Sequence, residues 1–187
     1  MNTLNDYLAQ KRLAVQARDA RITSGDAAPL QLRATVSAEG RSGVRRIQIR
    51  EHTVLSDSPA DFAGFNLGPS SPELQLGVLG SCVTHIFLIQ AAAQGVALDA
   101  LAVEVSGQID PRAGKPGFEQ VPVYPHDIGY TVHIHSPAPR AAIDALFEAV
   151  ERSCPILNLL RQPQTVRATV HHVHTAAGQE APDAVAA

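Results

Sequence analysis

Two periodicities divide this chain. Leu30, Leu32, Ala34 and Val36 alternate with Gln31, Arg33 and Thr35, which is the two-residue repeat of a half-buried strand. Val44 to Ile49 alternates again, with Ile47 and Ile49 on one face and Arg46, Gln48 and Arg50 on the other. The polar AEGRSG (38–43) between them predicts a hairpin. Leu101, Val103 and Val105, then Gly129 to His135, predict two further strands, and Val166 to Val173 a last one. Residues 4–20 follow a helical but weakly apolar pattern, with Leu4 and Leu8 among Lys11, Arg12 and Arg18, so this helix needs a partner surface. Pro139 to Arg152 is amphipathic, with Ala142, Leu146 and Val150 four residues apart, and Ser153-Cys154-Pro155 restarts a short helix.

The longest apolar stretch, Leu76 to Ala93, sits in a well-signalled helix. Ser71 is the expected N-cap, Pro72 suits the first turn, Glu73 complements the positive end of the dipole, and Gly95 supplies the stop. Its length approaches a membrane span, but His85, Gln90 and the small residues Gly80, Ser81 and Cys82 fit a helix buried on most sides in a protein core. The order of elements is two or three strands, a buried helix, two strands, two helical pieces and one strand. No GxGxxG or GKS/T loop is present, so the expected class is α+β with an antiparallel-rich sheet. Residues 56–71 form a Gly/Pro/Ser-rich loop. Residues 1–28 read as a helical extension, 29–175 as one domain and 176–187 as a disordered tail.

Composition narrows the function classes. The chain has 187 residues with 15 basic and 18 acidic groups, a balance without the electrostatic footprint of a nucleic-acid or anionic-lipid binder. Three Tyr, five Phe and no Trp are few for a base-stacking platform. The amino terminus has no apolar h-region, so the expected address is the cytoplasm. Two cysteines cannot make a four-thiolate zinc site, and are too few for a disulfide scaffold. That leaves two buried thiols, one disulfide or a redox pair. Cys154 precedes Pro155 at a helix start, where free amides favour a thiolate, whereas Cys82 lies mid-helix and needs a nearby cation, most naturally arginine.

The stretch GPSSPELQLGVLGSCVTHIFL (68–88) and the Cys-Pro motif SCPILNLL (153–160) together resemble the OsmC/Ohr proteins, osmotically inducible protein C and the organic hydroperoxide resistance proteins. The resemblance spans about Leu30 to His174. It implies an OsmC-like fold in an intertwined homodimer with the long helix at its centre and sites at the subunit interface. It also implies thiol-dependent reduction of organic hydroperoxides to alcohols, with a dithiol reductant and no cofactor. By motif, Cys82 matches the peroxidatic cysteine, Cys154 the resolving one, Glu73 the family's glutamate and Arg41 its hairpin arginine. Phe62, Phe65, Leu76 and Leu79 are the expected apolar lining, suited to bulky alkyl peroxides. The alternative is a non-catalytic small-molecule binding module on the same dimeric scaffold, with structural cysteines.

Spacing adds a constraint of its own. Glu73 and Cys82 are nine residues apart, so at about 100° per residue they point to opposite sides of one helix, roughly 13 Å apart along its axis. If both serve one thiol, a second copy supplies one of them. The plain reading of Glu73 is a helix cap. His133 with His135 and His172 with His174 form H-x-H pairs, but no carboxylate follows on the strand to complete a facial triad, and exposed histidines are expected rather than a metal site. His85, three residues after Cys82, reads as a satisfied core residue.

Overall fold

In the computed structural model, residues 3–40 and 42–174 are described. The chain divides into two compact units: the N-terminal helix with residues 70–162, and residues 33–69 with 163–174.

The first unit is organised by two long helices. Helix α1 (Leu4–Thr23) is opened by a capping box between Thr3 and Asp6. Helix α2 (Ser71–Gln94) is capped one residue earlier than expected, by Ser70, whose hydroxyl accepts from the Glu73 amide while the Glu73 carboxylate accepts from the Ser70 amide. Both boxes satisfy amides that a helix start leaves unpaired. Gly95 stops α2 as anticipated, in the left-handed region at φ 72° that favours a residue without Cβ. The weakly apolar α1 finds its surface on α2: Leu8 is buried, Leu4 packs beside it, and the Arg12 guanidinium donates to the Ala92 carbonyl at 2.8 Å. Asn5 accepts from the Leu98 amide at 2.9 Å.

Strands β4 (Ala100–Gln108) and β5 (His126–His135) pair antiparallel. Leu101, Val103, Val105, Tyr130, Val132 and Ile134 turn toward the core, joining Leu79, Val83, Phe87 and Ala91 of α2 with Leu146 and Val150 of α3 (Arg140–Ser153). Helix α4 (Pro155–Arg161) follows after a single residue, Cys154, and adds Leu157. By length and composition α2 would cross a membrane, but its buried residues pack as those of a core helix.

The second unit is a three-stranded antiparallel sheet in the order β1 (Thr35–Ala38), β2 (Arg45–Ile49), β3 (His52–Ser56). The predicted hairpin is present, but its first strand begins at Thr35, and Leu30 and Leu32 stand 82% and 84% exposed. Without a facing strand, alternation alone confers no pairing. The same holds for Val166–Val173, where the expected last strand is absent and Val166, Val170 and Val173 are exposed.

Beyond β3 the 57–69 loop is held by Asp57. This buried carboxylate accepts from the amides of Ser58 at 2.7 Å, Phe65 at 3.0 Å and Leu67 at 3.1 Å. These bonds, with the nearby Arg45 charge, keep its pKa below the usual carboxylate range. Arg45 donates to the carbonyls of Gly43 and Asp57 and to the hydroxyls of Ser56 and Ser58. At Gly64 a Cβ would fall 1.8 Å from the Ser58 carbonyl oxygen, so the loop closes only over a glycine. The expected disordered tail, from 176, lies outside the described residues.

Candidate active site

The two cysteines, 72 residues apart in sequence, meet in the first unit. The Cys154 and Cys82 Sγ atoms are 3.5 Å apart and unbonded. Cys154 is fully buried, and Cys82 is partly buried. A disulfide has its sulfurs about 2.05 Å apart, so a movement of about 1.5 Å closes the bond. The corner between α3 and α4 makes this approach: Pro155 starts α4 at once, and Cys154 serves as the residue between two helices.

The environment of Cys82 is apolar. Burial pushes its thiol pKa up, an effect opposed by a hydrogen bond from the Ile156 amide and reinforced by Cys154. Among the described residues no positive charge figures in these influences.

Glu73 stands elsewhere. Its carboxylate accepts from the amide and the hydroxyl of Ser70, both at 2.7 Å, and these bonds hold its pKa below the usual range. It lines a groove of about 430 Å³ with Leu76, Gly77, Gly80, Ser81, Thr84, Val103 and Val105, and Cys82 is not part of that lining. The helical-phase argument from the sequence is thereby met: one helix presents carboxylate and thiol on different faces. Arg41 lies outside the described residues. Phe62 and Phe65 belong to the second unit and are exposed there. Leu79 is buried in the core, and Leu76 lies 3.3 Å from where a Cβ at Gly107 would stand.

The sequence did not point to a polar cluster beside the dithiol corner. Glu151, three residues before Cys154, accepts a hydrogen bond from the Tyr130 hydroxyl of β5 and from Arg161 of α4 at 2.6 Å. Burial and the neighbouring carboxylate push the Tyr130 phenol well above its ordinary pKa. Burial would raise the pKa of Glu151, but the bonds from Tyr130 and Arg161 outweigh it and hold the group ionised. The three side chains border a cavity of about 380 Å³, with Leu79, Phe147, Leu157 and Leu160 in its walls. The available signal was the pair of opposite charges, Glu151 and Arg161, on either side of Cys-Pro.

His85 is exposed rather than in the core. Burial of its ring in part, together with the charges of Lys11 and Arg18, lowers its pKa. His133 and His135 face outward on β5, with His133 3.3 Å from Glu104. Among the described residues no three His, Cys, Asp or Glu side chains gather as a metal site would require.

The family model for OsmC-like protein matches residues 64–169. This chain belongs to the OsmC-like family. Its fold is shared by the OsmC-like protein of Mycoplasma pneumoniae, at 18% identity over 72% of this chain and 89% of that one, with a TM-score of 0.61. An organic hydroperoxide resistance protein OsmC from Legionella pneumophila aligns at 16% identity over 72% and 92% of the two chains, with a TM-score of 0.52. An OsmC-like protein of unknown function from Vibrio cholerae aligns at 12% identity over 70% and 93%, with a TM-score of 0.53. No curated protein matches the chain. The family domain thus begins inside the 57–69 loop and contains both cysteines and Glu73.

Proposed function

We propose that this OsmC-like protein is a cytoplasmic, homodimeric thiol peroxidase that reduces organic hydroperoxides to alcohols. The observation that carries the reading is the pair of free thiols at 3.5 Å in a buried corner, a dithiol poised for closure. Cys82, the more accessible sulfur, attacks the outer peroxide oxygen as a thiolate. The S–O bond forms as the O–O bond breaks, and the departing alkoxide takes a proton to become the alcohol. Cys154 then attacks the Cys82 sulfenic acid. The S–S bond forms, the S–OH bond breaks, and hydroxide leaves with the Cys154 proton as water. A dithiol reductant returns the pair to the starting state.

That no cation among the described residues acts on the Cys82 thiol, together with the opposite facing of Glu73, supports a site completed across a dimer. In that arrangement Arg41 lowers the thiol pKa and orients the peroxide, and Glu73 fixes the arginine. Phe62, Phe65, Leu76 and Leu79 are proposed to contact the organic group. The test is stopped-flow consumption of cumene hydroperoxide and hydrogen peroxide by the reduced protein, with intact mass read before and after. Alkyl-selective consumption with loss of two hydrogens is expected, and Cys82→Ser abolishes it. Undiminished consumption by Cys82→Ser would sink the mechanism.

A further inference from the structure

The Glu151 cluster joins three elements, β5, α3 and α4. Helix α4 has only seven residues, too short to hold its place by helical propensity, and beside it lies the cavity of about 380 Å³ that Leu157, Leu160 and Arg161 border. Apolar packing holds α4 through the buried Leu157 and the partly buried Ile156, while Leu159 and Leu160 stand exposed. Two polar systems make up the difference. The Asn158 side-chain amide donates to the carbonyls of Cys154 at 2.8 Å and Glu151 at 3.3 Å, tying the first turn of α4 to the end of α3. Arg161, at the far end of α4, reaches Glu151 on α3, which in turn holds Tyr130 on β5. The Tyr130 ring is itself seated against Phe147, with centroids 6.3 Å apart, and Phe147 against Phe87 of α2 at 6.2 Å. A continuous set of contacts thus runs from the cysteine-bearing helix α2, through the sheet, to both helices that meet at Cys154.

We propose that Tyr130, Glu151 and Arg161 form a positioning clamp that holds the α3–α4 corner so that Cys154 stays within bonding reach of Cys82. This rests on reading the two thiols as a redox pair, but not on which oxidant drives it. The hydrogen bonds of the clamp run to Glu151 and not to either sulfur, although the Tyr130 phenol is near enough to Cys154 to feel its charge. The clamp acts on the closing step, in which the Cys154 sulfur displaces hydroxide from the Cys82 sulfenic acid, and on the balance between dithiol and disulfide. Misplacement by about 1 Å costs on the order of a hundredfold in a fully preorganised reaction. For a clamp with Arg161 half exposed, a change on the order of tenfold is expected.

The experiment uses the full chain with Tyr130→Phe, which removes one oxygen, Arg161→Met, and Arg161→Lys as the conservative variant. Each is equilibrated in mixtures of reduced and oxidised dithiothreitol, and the disulfide fraction is read by intact mass. The rate of Cys82 alkylation is read separately with Cys154→Ser added. The expected result is a shift of about tenfold toward the dithiol in Tyr130→Phe and Arg161→Met, partial recovery in Arg161→Lys, and an unchanged alkylation rate. Wild-type equilibrium in both disruptive variants overturns the clamp. So does a wild-type protein that forms no disulfide, or an alkylation rate that moves with the equilibrium, since general loosening of the core alters both. A protein that shows the expected shift yet consumes no hydroperoxide retains the clamp and loses the peroxidase reading.

Discussion

One stripe of α2 meets two different fates along its length. At its C-terminal end Ala92 is 1% exposed, shares the core cluster with Leu8 of α1 and is tied to Arg12. Two turns and more toward the N-terminus, Val78 is 46% exposed, and Gly77, Ser81 and His85 are open with it. The difference comes from α1. Its first half offers Leu4 and Leu8 at helical spacing, whereas its second half offers only the partly buried Val15 on that spacing before the charges of Arg18, Asp19 and Arg21. Apolar surface is covered where the chain has apolar side chains to place on it. The bare half of the stripe is also the half that carries Glu73 at its start, which is where the proposed dimer would bring in a second copy.

The largest effect should come from the covered half. Leu8→Ala removes the one fully buried contact of α1 and is expected to cost about 2–4 kcal/mol in urea denaturation. A cost below about 0.5 kcal/mol would make α1 an appendage and dissolve the contrast. Next, Val78→Asp on the bare half should leave the folding of one chain nearly unchanged while weakening self-association on the order of tenfold, or about 1.4 kcal/mol. Sedimentation equilibrium reads this directly, and an unaltered dimer would place the interface elsewhere. The smallest effect lies at the boundary between the halves, where partial burial, Lys11 and Arg18 hold the His85 pKa below 6.5. The unfolded chain then binds a proton that the folded one resists. This contribution is complete above pH 6.5 and is lost as pH falls through the lower folded value. Arg18→Ala should flatten that slope in thermal melts, and an unchanged slope would mean that Arg18 does not act on His85.

The same contrast explains what could be read from the sequence. Helix α2 and the α3–α4 corner were legible because caps, a proline and a glycine mark their ends locally, and the two cysteine motifs lie inside them. The third strand, His52–Ser56, lacks a clear alternation and exists through its register with β2, Ile47 facing Val54. Val166–Val173 has the alternation but no strand beside it. Tyr130, Glu151 and Arg161 sit on three elements, so no window of sequence joins them. Asp57 escaped notice for a related reason: an exposed-looking charge in a loop gives no sign that backbone groups will fold around it. Arg41, nearest to the motif, lies outside the described residues.

Asp57 has a consequence for how freely this chain can vary. Three backbone N–H groups converge on two carboxylate oxygens, and each requires an acceptor. Asparagine matches the shape of aspartate but turns one acceptor into a donor, leaving at least one amide facing another N–H. Glutamate carries an extra methylene into a fully buried position. With Gly64 admitting no side chain against Ser58, the loop fixes two positions, Asp57 and Gly64, seven residues apart, and lengthening it between them would separate the amides from their shared acceptor. Insertions and grafts will be tolerated elsewhere on this surface before they are tolerated here.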